Sequence, residues 1–347
     1  MYLKEPAGRV DLLPRIGKAA LIPALICGGV SVLLMRAGFF TLFFLVPLGM
    51  CAVAFGPVAA WVGAVCAVLG NGVWSVGLSL RYGLSSAGLD TLYFAVLSLG
   101  FTWIMTGNAI FPSMPPVRTA FRFIAASAAG ALVFLLMIFS LGNDEVFSAA
   151  LRSQIEAVAS SYILSSGADA AQQAFLGQML TADRVIDVFL MVILRGGALF
   201  SAFVLFFFSR QFAFLFARLF RRQGGSAAGD LIGFFAPRRT IGVLSLCLPV
   251  ILLCRMISLE TVEIAAWNLL IICAIMFFAQ GGGIVLFKLA RRPMIMRLFC
   301  GLLIACVVFS PGLNVLAVGI LILLGIAENW LPLRVKKQGD PQSPENI

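Results

Sequence analysis

The sequence predicts an all-α membrane protein, a polytopic bundle of about ten transmembrane helices. Hydrophobic residues make up 61% of the 347 residues and charged residues only 12%, about half of the charged share of soluble domains. The mean hydropathy is +1.04, and the apolar residues form runs long enough to cross a bilayer. Alternating ten-residue strands are absent from the sequence, which argues against a β-barrel.

Eight apolar runs are each predicted to cross the membrane once. They cover residues 19–35, 38–55, 58–80, 91–111, 123–141, 184–222, 240–253 and 264–286. A ninth run, 298–326, contains the turn-like string Ser310-Pro-Gly-Leu-Asn314 near its middle. Two short spans in this run give ten spans and leave both termini on one side. One kinked span gives nine and places the C-terminal tail on the opposite side.

The distribution of basic residues predicts a cytoplasmic N-terminus. With that orientation the inner segments 1–18, 118–122, 210–239 and 288–297 carry 16 basic and 3 acidic residues. The outer segment 142–184 carries 5 acidic and 2 basic residues. Lys and Arg are retained on the cytoplasmic side of membrane proteins, so this bias sets the orientation. Arg36 and Arg81, each in a short outer loop, depart from the pattern. The expected location is the bacterial inner membrane.

Residues 142–183 form the one long polar excursion and are predicted to be an external amphipathic helical hairpin. Its apolar residues follow helical spacing, from Phe147 to Tyr162. Asp169 followed by Gln172 resembles a capping box that opens a second short helix. The hairpin lies on the membrane surface or caps the bundle, and the alternative is a separate binding domain. The chain then divides into membrane halves at 1–141 and 184–337, with this excursion between them and a disordered tail at 338–347.

The sequence lacks the residues that several classes of protein function require. The chain contains no histidine, and its eight cysteines lie in apolar runs without a CxxC pair. They are therefore interpreted as buried small side chains, with no metal site, disulfide frame or cofactor. No Walker-type phosphate loop and no catalytic constellation is present, so we expect no enzyme activity. The net charge of +10 lies at the ends of spans, where lipid headgroups account for it better than nucleic acid does.

Arg195 is the main candidate for solute binding. Apolar sequence flanks it on both sides, and Gly196 and Gly197 follow it directly. Insertion of a charged side chain at the bilayer centre costs about 2.5–3.5 kcal/mol of free energy, so a charge at this depth indicates a partner or a function. Counting from Arg184 and Arg210 places Arg195 close to mid-span, where it either faces a cavity and recognises an anionic solute or is satisfied by a carboxylate or by carbonyls of a broken neighbouring helix.

Other polar residues in the spans are weaker candidates. The predicted substrate-binding set is completed by Asn71, Trp74, Asn268 and Gln280, each of which can also serve helix packing. Asp90 and Glu263 lie near outer span ends and are expected to contact water, and Arg255 is expected to pair with Glu260 or Glu263. The triple glycine 281–283 permits either close helix contact or local unwinding.

A stripe of small residues marks the first span as an interface. Ala20, Ala24 and Gly28 recur every four residues, and such stripes let another helix approach closely. We expect this stripe to contact a partner. The alternative is a chance recurrence in a chain rich in alanine and glycine.

The C-terminal third contains a recognisable pattern. It comprises NLLIICAIMFFAQGGGIVLFKLARRP at 268–293, a proline-interrupted apolar run, and LLGIAENWLPLRVKK at 323–337. The matching elements are the aromatic-Ala-Gln280-Gly281 string and Gly325-x-x-Glu328-x-Trp330 before Arg334. In these elements the chain resembles the YybS-like family of uncharacterised bacterial membrane proteins. The excursion 142–183 does not align with that family.

The resemblance implies a transport-related role. The N-terminal half of such proteins is similar to the substrate-binding S components of energy-coupling-factor transporters, whose first helix contacts a coupling subunit through small residues. Ala20 and Ala24 fall where that motif lies. The implied partners are a coupling transmembrane subunit, its ATPase and membrane lipids, with a small-molecule ligand of unknown identity. The alternative function is a non-transporting scaffold that assembles with other membrane proteins.

Overall fold

The computed structural model describes residues 18–82, 87–110, 116–167, 169–221, 232–310 and 312–334. Predictions for the tail 338–347 and for the basic residues before Lys18 lie outside this part of the chain. Within it the protein is helical and contains no strand, as the composition predicts. The helices are α1 Lys18–Arg36, α2 Val46–Phe55, α3 Pro57–Tyr82, α4 Ala87–Ile110, α5 Pro116–Gly142, α6 Glu145–Ser165, α7 Ala170–Met179, α8 Ala182–Val192, α9 Ala198–Arg221, α10 Arg239–Met256, α11 Glu260–Ala290, α12 Met294–Phe309 and α13 Leu313–Ala327.

Six helical segments of the described residues are long and apolar enough to cross a membrane, which identifies a multi-pass membrane protein. They are Pro57–Leu80, Gly88–Gly107, Thr119–Gly142, Ala182–Ala217, Arg239–Met256 and Glu260–Ala290. Four further apolar helical segments are shorter: Ala20–Arg36, Phe40–Phe55, Met294–Ile304 and Leu313–Ala327. The all-α class is confirmed, and the number and orientation of the spans stay predictions.

The first compact unit comprises Met1–Pro112 and Leu205–Gly224. Helices α1 and α3 lie very close together in it, because small residues face each other on both. A Cβ on Gly28 would lie 2.7 Å from the carbonyl oxygen of Gly63, and a Cβ on Gly63 would lie 3.0 Å from that of Ala24. Gly28 also faces Ala67. This spacing lets two helix backbones pack with little side-chain volume between them.

The contacts within this unit give the relative directions of its helices. Ala24 faces Gly63 and Val32 faces Gly70, so α1 and α3 run parallel. The indole N–H of Trp61 donates to Thr106 at 3.1 Å, and Ser75 donates to Asp90 at 2.8 Å. Helices α3 and α4 are therefore antiparallel. These directions agree with the alternating order of spans 1, 3 and 4 that the sequence predicts.

The second unit comprises Ser113–Val204 and Gly225–Ile347. It includes α5, which the sequence analysis assigned to the N-terminal membrane half. The reason lies in apolar packing: the rings of Phe123 and Phe203 are 5.8 Å apart, and Ala120 packs against a buried cluster that contains Phe234 and Phe277.

The polar excursion forms two helices, as predicted. The carboxylate of Asp144 accepts hydrogen bonds from the backbone N–H groups of Val146 and Phe147 and begins α6. The carboxylate of Asp169 accepts from the N–H of Gln172 at 2.8 Å and begins α7. Helix α6 buries none of its residues, so its apolar face is not covered by the rest of the described chain.

Candidate functional site

The first polar cluster contains Arg195 and lies in the second unit. A guanidinium nitrogen of Arg195 is 2.9 Å from Oε1 of Glu263 in the first turn of α11. The same oxygen accepts from the indole N–H of Trp267 at 3.3 Å. Glu263 is only 4% exposed, so the carboxylate is desolvated and depends on these two donors.

A break between α8 and α9 shapes this cluster. Arg195 and Gly196 leave helical geometry, with φ of Gly196 at +108°, a region that favours glycine. The amide of Asn268 donates to the carbonyl oxygens of Leu194 and Ile264 at 2.8 and 2.9 Å. The Asn268 amide thereby satisfies a carbonyl next to the helix break, and these two hydrogen bonds use both of its hydrogens.

These contacts correct two expectations. Glu263 is buried instead of water-facing, and it pairs with Arg195 instead of Arg255. The guanidinium of Arg195 reaches the first turn of α11, which begins at Glu260, while the preceding carbonyl, that of Leu194, binds Asn268. The mid-span position of Arg195 stays a prediction. Of the alternatives left open for Arg195, satisfaction by a carboxylate is the one observed.

The second cluster contains Gln280 and includes the C-terminal end of the described chain. The Gln280 amide accepts from the N–H of Ala236 at 2.9 Å and donates to Glu328 at 3.1 Å. Glu328 in turn binds Arg334 through two charge-assisted hydrogen bonds. Arg334 also donates to the carbonyl of Phe234 at 2.9 Å. Gln280 thus links three segments of the chain. Both the oxygen and the nitrogen of its amide have a partner.

The third cluster lies in the first unit and joins α1, α3 and α4. One guanidinium nitrogen of Arg36 donates to Oδ1 of Asn71 at 2.8 Å and to Oγ of Ser75 at 2.9 Å. The same nitrogen forms an ion pair with Asp90. The Arg36 and Asp90 side chains are 27% and 26% exposed, whereas Asn71 below them is completely buried.

Two buried donors of this third cluster have no acceptor among the described residues. They are Nε of Arg36 and Nδ2 of Asn71. Arginine can only donate, so the oxygen of the Asn71 amide has to face it, and exchanging the amide oxygen and nitrogen would only create a donor–donor clash. A buried donor without an acceptor costs about 1–3 kcal/mol. This cluster therefore has hydrogen-bonding capacity that the described protein groups leave unused.

The predicted polar site residues belong to three separate hydrogen-bond clusters. Arg195 and Asn268 come together in the second unit, Gln280 belongs to the C-terminal cluster, and Asn71 lies in the first unit. Trp74 is 47% exposed and takes no part in the hydrogen bonds described for Asn71. An indole at that position suits the membrane–water boundary.

The small-residue stripe of α1 is occupied within the chain. Ala24 is completely buried, Gly28 faces α3, and Ala20 packs against the same buried cluster as Ala24. A close helix contact is present, as such a stripe predicts, but the neighbour is α3 of this protein. Ala24 and Gly28 are therefore covered by α3, and contact of the stripe with a coupling subunit stays a prediction.

Sequence reasoning missed the pairing of Arg36 with Asp90 and the burial of two other arginines. Asp90 was expected to contact water without a partner, and Arg36 had stood out only as a basic residue on the acidic side. Arg122 and Arg210 were expected at an exposed cytoplasmic boundary, yet they are only 3% and 7% exposed. A basic residue that violates the charge bias is the signal that could have identified the Arg36 cluster.

No family model, no curated protein and no solved structure matches this chain. Membership of the YybS-like family therefore stays a prediction from the C-terminal motifs.

Proposed function

We propose that the protein is a solute-binding subunit of the bacterial inner membrane, of the S-component type, and that it binds its solute at the Arg36 cluster. The supporting observation is the Asn71 amide, which is completely buried and has an Nδ2 donor without an acceptor among the described residues. Buried amides are otherwise satisfied by protein groups, ordered water or ligand. The resemblance of the N-terminal half to S components supports the same class.

The Arg36 cluster fits this role better than the Arg195 cluster. Asn268 already uses both amide hydrogens on backbone carbonyls, and Oε1 of Glu263 accepts from Trp267 and pairs with Arg195. The buried donor of that cluster without an acceptor among the described residues is Nε of Arg195. The Arg36 cluster instead combines an ion pair that is a quarter exposed with a buried, unsatisfied amide beneath it. A solute can therefore approach from the exposed side and complete the hydrogen bonds of the buried one.

In this proposal the partners are a coupling transmembrane subunit and an ATPase. Their docking surface excludes Ala24 and Gly28, because α3 covers both.

The test is retention of a solute by the purified protein. Wild type and Asn71→Leu, extracted from native membranes in mild detergent, are compared by native mass spectrometry. We expect an additional small-molecule mass on the wild type that Asn71→Leu loses.

Asn268→Leu is the matched control, since it removes a membrane asparagine whose amide hydrogens are already satisfied. Loss of the solute in this control, with retention in Asn71→Leu, would move the site to the second unit. Recovery of other membrane proteins with no solute on any variant would favour the scaffold alternative.

A further inference from the structure

We infer that the solute of the Arg36 cluster is electrically neutral and presents a hydrogen-bond acceptor, such as an amide carbonyl, to Arg36 and Asn71. This inference rests on the proposed function and specifies its ligand class. It differs from the expectation of an anionic solute that Arg195 had suggested.

The charge of the cluster is the first argument. Arg36 and Asp90 are in direct contact, and the other two members, Asn71 and Ser75, are neutral. The cluster is therefore balanced before any solute arrives. An anion placed here would add an uncompensated charge among apolar helices, which is strongly unfavourable. A neutral solute avoids that cost.

The hydrogen-bond inventory is the second argument. The Ser75 hydroxyl accepts from Arg36 and donates its only proton to Asp90. Oδ1 of Asn71 accepts from Arg36. The buried groups left without a partner among the described residues are both donors, Nε of Arg36 and Nδ2 of Asn71. A solute that completes the cluster therefore has to accept hydrogen bonds.

The surroundings of Asn71 are the third argument. Its neighbours on α3 are glycines, and Gly70 faces the Val32 side chain at 3.5 Å while Gly72 faces the Thr91 methyl group at 3.6 Å. The two side-chain atoms that face α3 next to Asn71 are thus methyl carbons, which suits a solute with one polar group on an apolar body.

The Arg36 side chain is the element that has to move. It bridges Asn71, Ser75 and Asp90, and it is partly exposed, whereas Nδ2 of Asn71 is buried. An outward movement of Arg36 uncovers the amide without displacing a helix, and its return lets Nε of Arg36 and Nδ2 of Asn71 both donate to the bound acceptor.

The experiment compares neutral amides with carboxylates of the same skeleton on the detergent-purified protein. The probes are benzamide and benzoate, nicotinamide and nicotinate, and phenylacetamide and phenylacetate, with thermal unfolding followed by tryptophan fluorescence. In at least one pair we expect the amide to raise the melting temperature with an apparent Kd at least about tenfold below that of the acid. Asn71→Leu should remove this difference, and Asn268→Leu should keep it.

Asp90→Asn supplies a second readout, because it leaves Arg36 without its counterion. In this variant we expect the preference to invert toward the carboxylate. If Asp90→Asn does not fold, the wild-type comparison alone decides the matter. The inferred ligand class is overturned if the carboxylates stabilise the wild type. It is also overturned if none of the amides in the panel does. If native mass spectrometry finds an anionic solute that the wild type retains and Asn71→Leu loses, the ligand class is wrong and the proposed function stands. If no solute is retained and no probe shifts the melting temperature in a way that depends on Asn71, both are wrong.

Discussion

Three arginines, Arg36, Arg195 and Arg334, each form an ion pair with one carboxylate. The three pairs differ in burial: the Arg334–Glu328 side chains are 5% and 2% exposed, and the Arg195 side chain is 28% exposed. A buried pair is a weak source of net stability, because desolvation offsets the attraction. Removal of one partner is costly, however, since it leaves an uncompensated charge. Pairing therefore explains how these charges are tolerated in apolar surroundings.

A double-mutant cycle on Arg195 and Glu263 tests the pair that the sequence did not predict. We expect Arg195→Met and Glu263→Gln each to lower the free energy of unfolding, and the double variant to lose less than the sum. The expected coupling is about 1–3 kcal/mol, measured by equilibrium unfolding in mixed detergent and SDS micelles.

Arg255→Met with Glu260→Gln is the control cycle, because both side chains are exposed. Its coupling should stay within about 0.5 kcal/mol. Equal coupling in the two cycles would show that the Arg195 pair makes no special contribution.

The sequence identifies Arg195 as an unusual charge but does not identify its partner. Its unusual position is visible in the chain, because a lone charge interrupts a long apolar run. Its partner is not visible, because Glu263 lies 68 positions away and comes close only through the packing of the segment Ile193–Gly197 against α11. The same reason hid Asp90 from Arg36. Hydropathy identifies which charges need partners, and tertiary register decides which partners they obtain.

Helices α11 and α13 approach each other as closely as two backbones can. A Cβ on Gly281 would lie 1.9 Å from the carbonyl oxygen of Leu321, and one on Gly325 would lie 2.0 Å from that of Phe277. Helix α11 continues unbroken through the triple glycine. Of the two predicted roles for these glycines, close helix contact is therefore the one observed.

Two adjacent glycines of α11 should respond in opposite ways to alanine. Gly281→Ala forces the new methyl group into the backbone of α13, so we expect a loss of more than about 3 kcal/mol in the free energy of unfolding. Gly282 has no atom within 4 Å of an added Cβ, so Gly282→Ala should be neutral or stabilise by up to about 1 kcal/mol. Both follow from the same SDS unfolding assay, and a similar response of the two variants would contradict the described register.

Helix limits were more predictable than helix interruptions. The predicted spans begin and end within a few residues of most observed helices, because apolar runs and breakers such as Gly56-Pro57 set those limits locally. The break at Arg195 and Gly196 was not predicted, since Gly196-Gly197 was interpreted as space beside a binding group. Its cause is tertiary: the Ile271 side chain lies 2.3 Å from where a Gly196 Cβ would be.

At the scale of the molecule, the register of α13 bears on the number of spans. Gly281 faces Leu321 and Gly325 faces Phe277, so α11 and α13 are antiparallel. Continued along both helices, this register places Leu313 beside Leu289 and Ala327 beside Ile275. Helix α13 has 15 residues and is about 22 Å long, shorter than the hydrocarbon core of about 30 Å. It accompanies only the C-terminal half of α11.

The residues after α13 then turn back. Arg334 binds the carbonyls of Ile232 and Phe234, which precede α10, and Gln280 binds both Ala236 and Glu328. Both ends of the α12–α13 segment therefore lie beside the C-terminal half of α11. This register favours a re-entrant segment, in which neither α12 nor α13 crosses the membrane, over the two short spans that the turn at Ser310–Asn314 had suggested.

Cysteine accessibility separates the three arrangements. In a Cys306→Ala background, we expect a membrane-impermeant maleimide to label Ser153→Cys on intact cells and Arg292→Cys only after permeabilisation, which fixes the two sides. With a re-entrant segment, Asn314→Cys and Gln338→Cys are both labelled only after permeabilisation, because Asn314 then lies near Lys288. With ten spans Asn314→Cys is labelled on intact cells, and with nine spans Gln338→Cys is. Either of these last two results would contradict the re-entrant arrangement, since each requires α12 or α13 to carry the chain across the full bilayer.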